Sequence, residues 1–229
     1  MRRALVAIVC VALATSCKSP VVSKLASLVA FEGEIDMAIG MALPAAPTST
    51  STIKLEIKSD KTRTEIGGLG MISISDAGKK KTWVVDPSSR TYTELDLSAA
   101  KAAAAAASAS APKAKATVKK TGRTDVVAGY ECDVYEIDDP SGLLSHTETC
   151  MASGVSMMAM GLTGPFSMLS AGGDDAWSDL MSHGFPLRVV LRDAKGALLA
   201  KMEATRIEKK TVPDSEFEVP AGYTKRPSL

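Results

Sequence analysis

The sequence predicts a mainly β protein with accessory helices. Three observations carry that expectation. Apolar and polar residues alternate with a period of two in several stretches, as in a sheet with one wet face. Turn-forming residues punctuate those stretches: Pro44 and Pro47, Ser59-Asp60, Pro87-Ser88-Ser89 and Ala194-Lys195-Gly196. Two long segments break the pattern, one alanine-rich at 99–116 and one uncharged at 151–173.

The elements follow in order. Met1-Arg2-Arg3 is a short basic start, followed by the apolar run ALVAIVCVALA (4–14) and the small residues Thr15 and Ser16. That is the layout of an export signal, and the run is too short to span a bilayer, which takes about 20 apolar residues. In FEGEIDMAIGM, Ile35, Met37 and Ile39 oppose Glu34, Asp36 and Ala38; in TIKLEIKSDKTRTEI, Ile53, Leu55 and Ile57 oppose Lys54, Glu56 and Lys58. A turn at Ser59-Asp60 folds the second stretch into a hairpin. MISISDAGKKKTWVVD and RTYTELDL supply two or three more strands.

The alanine-rich segment predicts a helix near Leu97 to Ala111, ended by Pro112. It is either a surface insertion or a lid over a groove. Lys113, Lys115, Lys119, Lys120 and Arg123 form a basic run, read as the solvated side of an edge strand or as a contact for anionic head groups. Cys132 and Cys150 lie equidistant from Ser141, within a turn-rich DDPSG. A hairpin folded there sets the two cysteines directly opposite, about 4.5 Å apart at Cα, within reach of a disulfide. A metal site is the weaker alternative, because the chain has two histidines and no CxxC-type spacing.

MASGVSMMAMGLTGPFSMLSAGG holds no charge. Val155, Met158, Leu162, Phe166 and Leu169 share one helical stripe. A segment apolar nearly all round is buried or faces something apolar, so it is a core-covering helix pair or a greasy groove or lid. In the second reading Met157, Met158, Met160, Leu162, Phe166 and Met168 line or gate the groove. A second helix follows, with Asp174 or Asp175 as N-cap and Gly184 as its stop. FPLRVVLRDAKGALLAKMEATRIEKK is a hairpin, and TVPDSEFEVPAGYTKRP closes the chain.

Composition narrows the function classes. The chain has 27 basic and 26 acidic residues. Losing Arg2 and Arg3 with the leader takes 27 to 25, a balance near −1 against the 26 acidic residues, which argues against bulk nucleic-acid binding. GVSMM at 154–158 lacks the second glycine of a nucleophile elbow, and no HExxH, P-loop or dinucleotide fingerprint occurs. Asp138-Asp139 and Asp174-Asp175 read as turn and cap residues. The expectation is a binding protein with no catalysis, no cofactor and no metal; the sequence leaves its oligomeric state open.

Two resemblances add to this. LATSC at 13–17 resembles a bacterial lipoprotein signal, with Leu one place earlier than usual. The resemblance implies that Cys17 is lipidated and becomes the first residue of the mature chain, and that Lys18, standing where Asp would favour the inner membrane, leans towards the outer membrane facing the periplasm. Cleavage of Ala14-Thr15-Ser16 by ordinary signal peptidase is the rival. Removal of Cys10 leaves an odd cysteine count, which lipidation of Cys17 resolves. The body resembles the exported domain-of-unknown-function family 4412, through FEGEIDMAIG, TGRTDVVAGYECDVYEI and GFPLRVVLRDAKGALLAKMEATRIEKKTVPDSEFEVPAGY. That family is similar to the wider LolA- and LolB-like lipoprotein-handling group. The likeness implies a curved antiparallel sheet or incomplete β-barrel with helices covering the concave face, and an acyl chain, lipid or lipoprotein as ligand. The implied layout is signal 1–16, lipidated cysteine and tether 17–28, and one β domain 29–229. The alternative is a scaffold whose groove is filled by its own helices.

Overall fold

The computed structural model describes residues 31–42, 49–99, 117–138, 146–153, 180 and 184–227. Cys17, the alanine-rich stretch beyond residue 99, Met157, Met158, Met160, Leu162, Phe166 and Met168 lie outside the described residues.

Among the described residues twelve strands form one sheet: β1 (Gly33–Met41), β2 (Ser49–Lys58), β3 (Lys61–Ile66), β4 (Met71–Asp76), β5 (Lys81–Asp86), β6 (Thr91–Asp96), β7 (Thr117–Val127), β8 (Tyr130–Asp138), β9 (His146–Ser153), β10 (Gly184–Arg192), β11 (Leu198–Lys209) and β12 (Thr224–Arg226). Their order is β12-β6-β5-β4-β3-β2-β1-β11-β10-β9-β8-β7. All pairs are antiparallel except β12 with β6. Among the described residues the sheet is curved and open. Among the described residues helix is confined to 97–99, Leu180 and a 3-10 turn at Asp214–Phe217, so the expected helical cover of the concave face is not part of what is described. Gly184, expected to stop a helix, opens β10 instead, because its place opposite Ser153 is already within the ladder.

The predicted hairpins form. Ser59 adopts φ 54° in the tight turn between β2 and β3, and β10 and β11 are joined through 193–197. Asp96 accepts backbone hydrogen bonds from Ser98 (2.7 Å) and Ala99 (3.0 Å), the cap that starts the short helical stretch at 97. β7 is the outer strand, as its lysines imply. Lys120 pairs with Asp133 at 2.8 Å, and Arg123 with Glu136 and Glu148. A register shift between Lys120 and Thr124 bends the strand, and Asp125 meets Arg188 of β10 at 2.6 Å.

The Cys132–Cys150 disulfide is present, with Cα atoms 5.3 Å apart. The expected direct opposition is not. Cys150 pairs with Val134, and Asp133 with Met151, so Cys132 stands diagonal to Cys150 on the same face. The hairpin is centred one residue later than the sequence implied, and strand twist brings one diagonal close enough to bond.

One face of the central strands is charged, and here the simple alternation misleads. Glu34 and Glu56, expected in water, are buried at 5% and 6% exposure. Glu34 takes Lys210 (2.6 Å), Arg206 (2.9 Å) and Lys54 (3.0 Å); Glu56 takes Lys54 and Arg63 at 3.2 Å each. Lysine and arginine stems from neighbouring strands close over the carboxylates. Burial alone would raise the Glu34 pKa; the hydrogen bonds from Lys210 and Lys54, with their charges, outweigh it and hold it at about 2 against an ordinary 4.5. A pKa depressed on folding contributes stability that is complete above the ordinary value and is lost as pH falls through the folded one. Denaturant midpoints should therefore decline between about pH 4.5 and 2, and Glu34→Gln should flatten that decline. At neutral pH the substitution should cost about 2 kcal/mol, less than for a fully buried pair because the three cations can turn to solvent.

Gly33 is required by close approach. A Cβ there would lie 2.1 Å from the Glu208 carbonyl oxygen and 2.8 Å from the Phe31 ring. Gly33→Ala should destabilise by about 2 kcal/mol through forced separation of β1 and β11, read as a lower thermal midpoint.

Candidate functional site

The opposite face of the same strands is apolar. The alternating positions Ile35 and Met37 of β1, and Ile53, Leu55 and Ile57 of β2, all point to it. The β1–β2 register sets Ile35 beside Leu55 and Met37 beside Ile53. The β1–β11 register adds Ala204 beside Met37 and Met202 beside Ile39, and Val189 follows Met202 into β10. Phe185, Leu187 and Met151 extend the cluster. Met37 and Ile53 have no exposure, and Ile35, Leu55, Ile57, Val189 and Met202 have 7% or less. Leu180, from the connection between β9 and β10, packs into the same cluster at 2% exposure.

Toward β6 the chemistry of this face changes. Ile57 pairs with Thr62, Thr62 with Ser75, and Ser75 with Thr82. The next row runs Leu55, Thr64, Ser73, Val84, Thr93. Thr62, Thr64, Ser75 and Thr82 are buried, and the Ser75 and Thr82 hydroxyls lie 2.9 Å apart. One face thus joins an aliphatic field on β2, β1, β11 and β10 to a band of neutral hydroxyls on β3 to β6. Both parts are buried, so this face is interior surface, aliphatic on one side and hydroxyl-bearing on the other. The aliphatic alternations alone do not single out this band. Its signal in the sequence is Thr and Ser at alternate positions in KTRTEI, SIS and KTW.

Of the sequence-predicted site residues, the structure brings Cys132 and Cys150 together; the others fall outside the described residues. Among the described residues no three His, Cys, Asp or Glu side chains are grouped to hold a metal ion. His146 lies on the surface, 2.5 Å from Asp138. No described helix is long and apolar enough to cross a membrane.

An open, curved antiparallel sheet with its main core on one face defines a class of β-sheet proteins. Residues 31–223 match the family described as Domain of unknown function (DUF4412), and the chain belongs to that family. No curated protein matches the chain. Among solved structures, it is similar to an uncharacterized conserved protein from Thermus thermophilus, at 9% identity and TM-score 0.49, covering 90% of this chain and 99% of that one. It is similar to a LolA superfamily protein from Nitrosomonas europaea, at 11% identity and TM-score 0.34, covering 86% and 97%. It is also similar to Pseudomonas aeruginosa MucA/MucB, at 14% identity and TM-score 0.42, covering 87% of this chain and 60% of that one.

Proposed function

We propose that this protein is a non-catalytic binding module of the bacterial cell envelope that holds a hydrophobic ligand against the apolar face of its sheet. The ligand class is an acyl chain, lipid or lipoprotein. One observation carries the reading: the aliphatic positions of β1, β2, β10 and β11 meet on one face as a continuous apolar cluster with no charged residue. An acyl chain fits the aliphatic field. Cys17 is the proposed anchor, where two or three acyl chains would hold the protein to the membrane durably, since one chain binds only marginally. Met157, Met158, Met160, Leu162, Phe166 and Met168 are proposed to touch the ligand.

A second reading is favoured by Leu180. It already packs in the apolar cluster. On that reading the protein's own β9–β10 connection fills the face, and the protein is a scaffold for contact with another protein.

Native and denatured mass spectra separate the two. The chain from residue 17, carrying Cys17→Ser and made in an oxidising compartment, should show extra native mass that disappears on denaturation and extracts into organic solvent. A native mass equal to the bare chain less two hydrogens favours the scaffold. Met158→Asp with Phe166→Asp should remove the extra mass and leave the fold intact; on the second reading the fold itself is lost.

A further inference from the structure

An open sheet has two margins, and each is a row of backbone N–H and C=O groups ready to take a strand from another molecule. Among the described residues this sheet ends on β7 and β12. β7 has the makings of an adhesive edge. It runs for eleven residues, six of them Thr or Val, and Val126 is 61% exposed.

Three features spoil it as a template. The first is an insertion. Lys120 stands opposite Tyr135 and Thr124 opposite Asp133, so Thr121, Gly122 and Arg123 face the single residue Val134. Gly122 takes φ 76° there, a conformation that favours glycine. The insertion divides the edge into 117–120 and 124–127, each shorter than the about five to six residues of an ordinary strand. The second feature is inward bonding. Thr121 Oγ1 donates to the Val134 carbonyl at 2.8 Å and accepts from the Arg123 N–H at 3.1 Å. Arg123 reaches across β8 to Glu148 of β9 at 2.9 Å, and Asp125 reaches Arg188 of β10 at 2.6 Å. These bonds turn the second half of β7 in over the sheet, away from the plane a further strand would need. The third feature is charge. Lys119 and Lys120, both exposed, sit on the first half and set two cations beside any incoming strand.

The opposite margin meets the same hazard by other means. β12 has only three residues, all exposed, and Pro227 follows it with no N–H to donate.

We propose that the β7 margin is built to refuse strand addition, so that the sheet of one copy does not continue into that of another. An interrupted ladder, inward-pointing charges and edge lysines are separate solutions to one hazard, and here they stand within a single strand. Recognition of a partner then falls to the faces and loops, not to β-augmentation. The inference holds whether or not a ligand lies on the apolar face.

The test is sedimentation velocity across a range of protein concentrations, with hydrogen exchange as the second readout. It uses the chain from residue 17 carrying Cys17→Ser, which retains every described residue. This parent should keep one size at all concentrations. Deletion of Gly122 and Arg123, combined with Lys119→Thr and Lys120→Thr, leaves an unbroken Thr- and Val-rich edge. It should self-associate at least about tenfold more tightly than the parent, and amides of β7 should gain protection as concentration rises. A variant of full length, Lys119→Thr, Lys120→Thr, Arg123→Thr and Asp125→Thr, removes the charges and the inward bonds; it should associate likewise and decides the matter if the deletion does not fold. Far-UV circular dichroism and formation of the Cys132–Cys150 bond report folding. A parent that associates with protection of its β7 amides would overturn the proposal, because the edge would then be a joining site. Folded variants that associate no more than the parent, or that associate with β7 amides unprotected, would overturn it too.

Discussion

Phe217→Ala is expected to cost about 4 kcal/mol of folding stability. Phe217 is 2% exposed and belongs to a second core with Ile74, Val85 and Val212, each at 1% or less. This core lies on the face of β4 to β6 opposite the hydroxyl band. The chain reaches it after β11 by crossing the charged face. The Val212 N–H donates to Glu32 at 2.8 Å, Lys58 donates to the Val212 carbonyl at 2.9 Å, and Asp214 meets Lys58 and Lys61 at 3.3 Å each. Beyond the 3-10 turn, β12 pairs with β6 at the sheet edge. The C-terminal segment therefore ties the centre of the sheet to one margin. Loss of the Phe217 ring leaves a cavity that rigid strands cannot collapse into. Urea denaturation should show a clearly lower midpoint, whereas exposed Ser215→Ala should stay within about 0.5 kcal/mol of the parent.

Removing the Cys132–Cys150 bond, by paired serine substitution or by reduction, should cost about 3 kcal/mol. The bond closes a loop with a sequence separation of 18, and the cost follows from the freedom returned to the unfolded chain. Both cysteines are nearly buried, at 2% and 1% exposure, so serine would also leave hydroxyls in an apolar corner beside Val134. Thermal melts with and without reductant read the first contribution, and the gap between reduced parent and double-serine variant reads the second. The margin formed by β7, β8 and β9 should show the largest gain in hydrogen exchange.

Much of this architecture is legible in the residues. The alternations of Ile35 with Met37 and of Ile53 with Leu55 and Ile57 set the strands and their apolar face, because a period of two has only one way to bury a side. Ser59-Asp60 and Ala194-Lys195-Gly196 set two turns. The lysines of β7 mark an edge, and Cys132 and Cys150 mark their own bond. Short-range chemistry decides all of these.

Other features depend on residues far apart in the chain. Glu34 is buried because Lys54, Arg206 and Lys210 converge on it from β2, β11 and the segment after β11; no local pattern distinguishes it from a solvated glutamate. Phe217 finds its pocket only once β4 and β5 stand side by side. The diagonal register of Cys132 and Cys150 reflects strand twist, which counting from Ser141 does not contain. The sequence by itself determined the strands, the disulfide pair and the β class. The tertiary structure decided which polar groups went inside and where the second core formed, because each depends on contacts between strands that are remote in sequence.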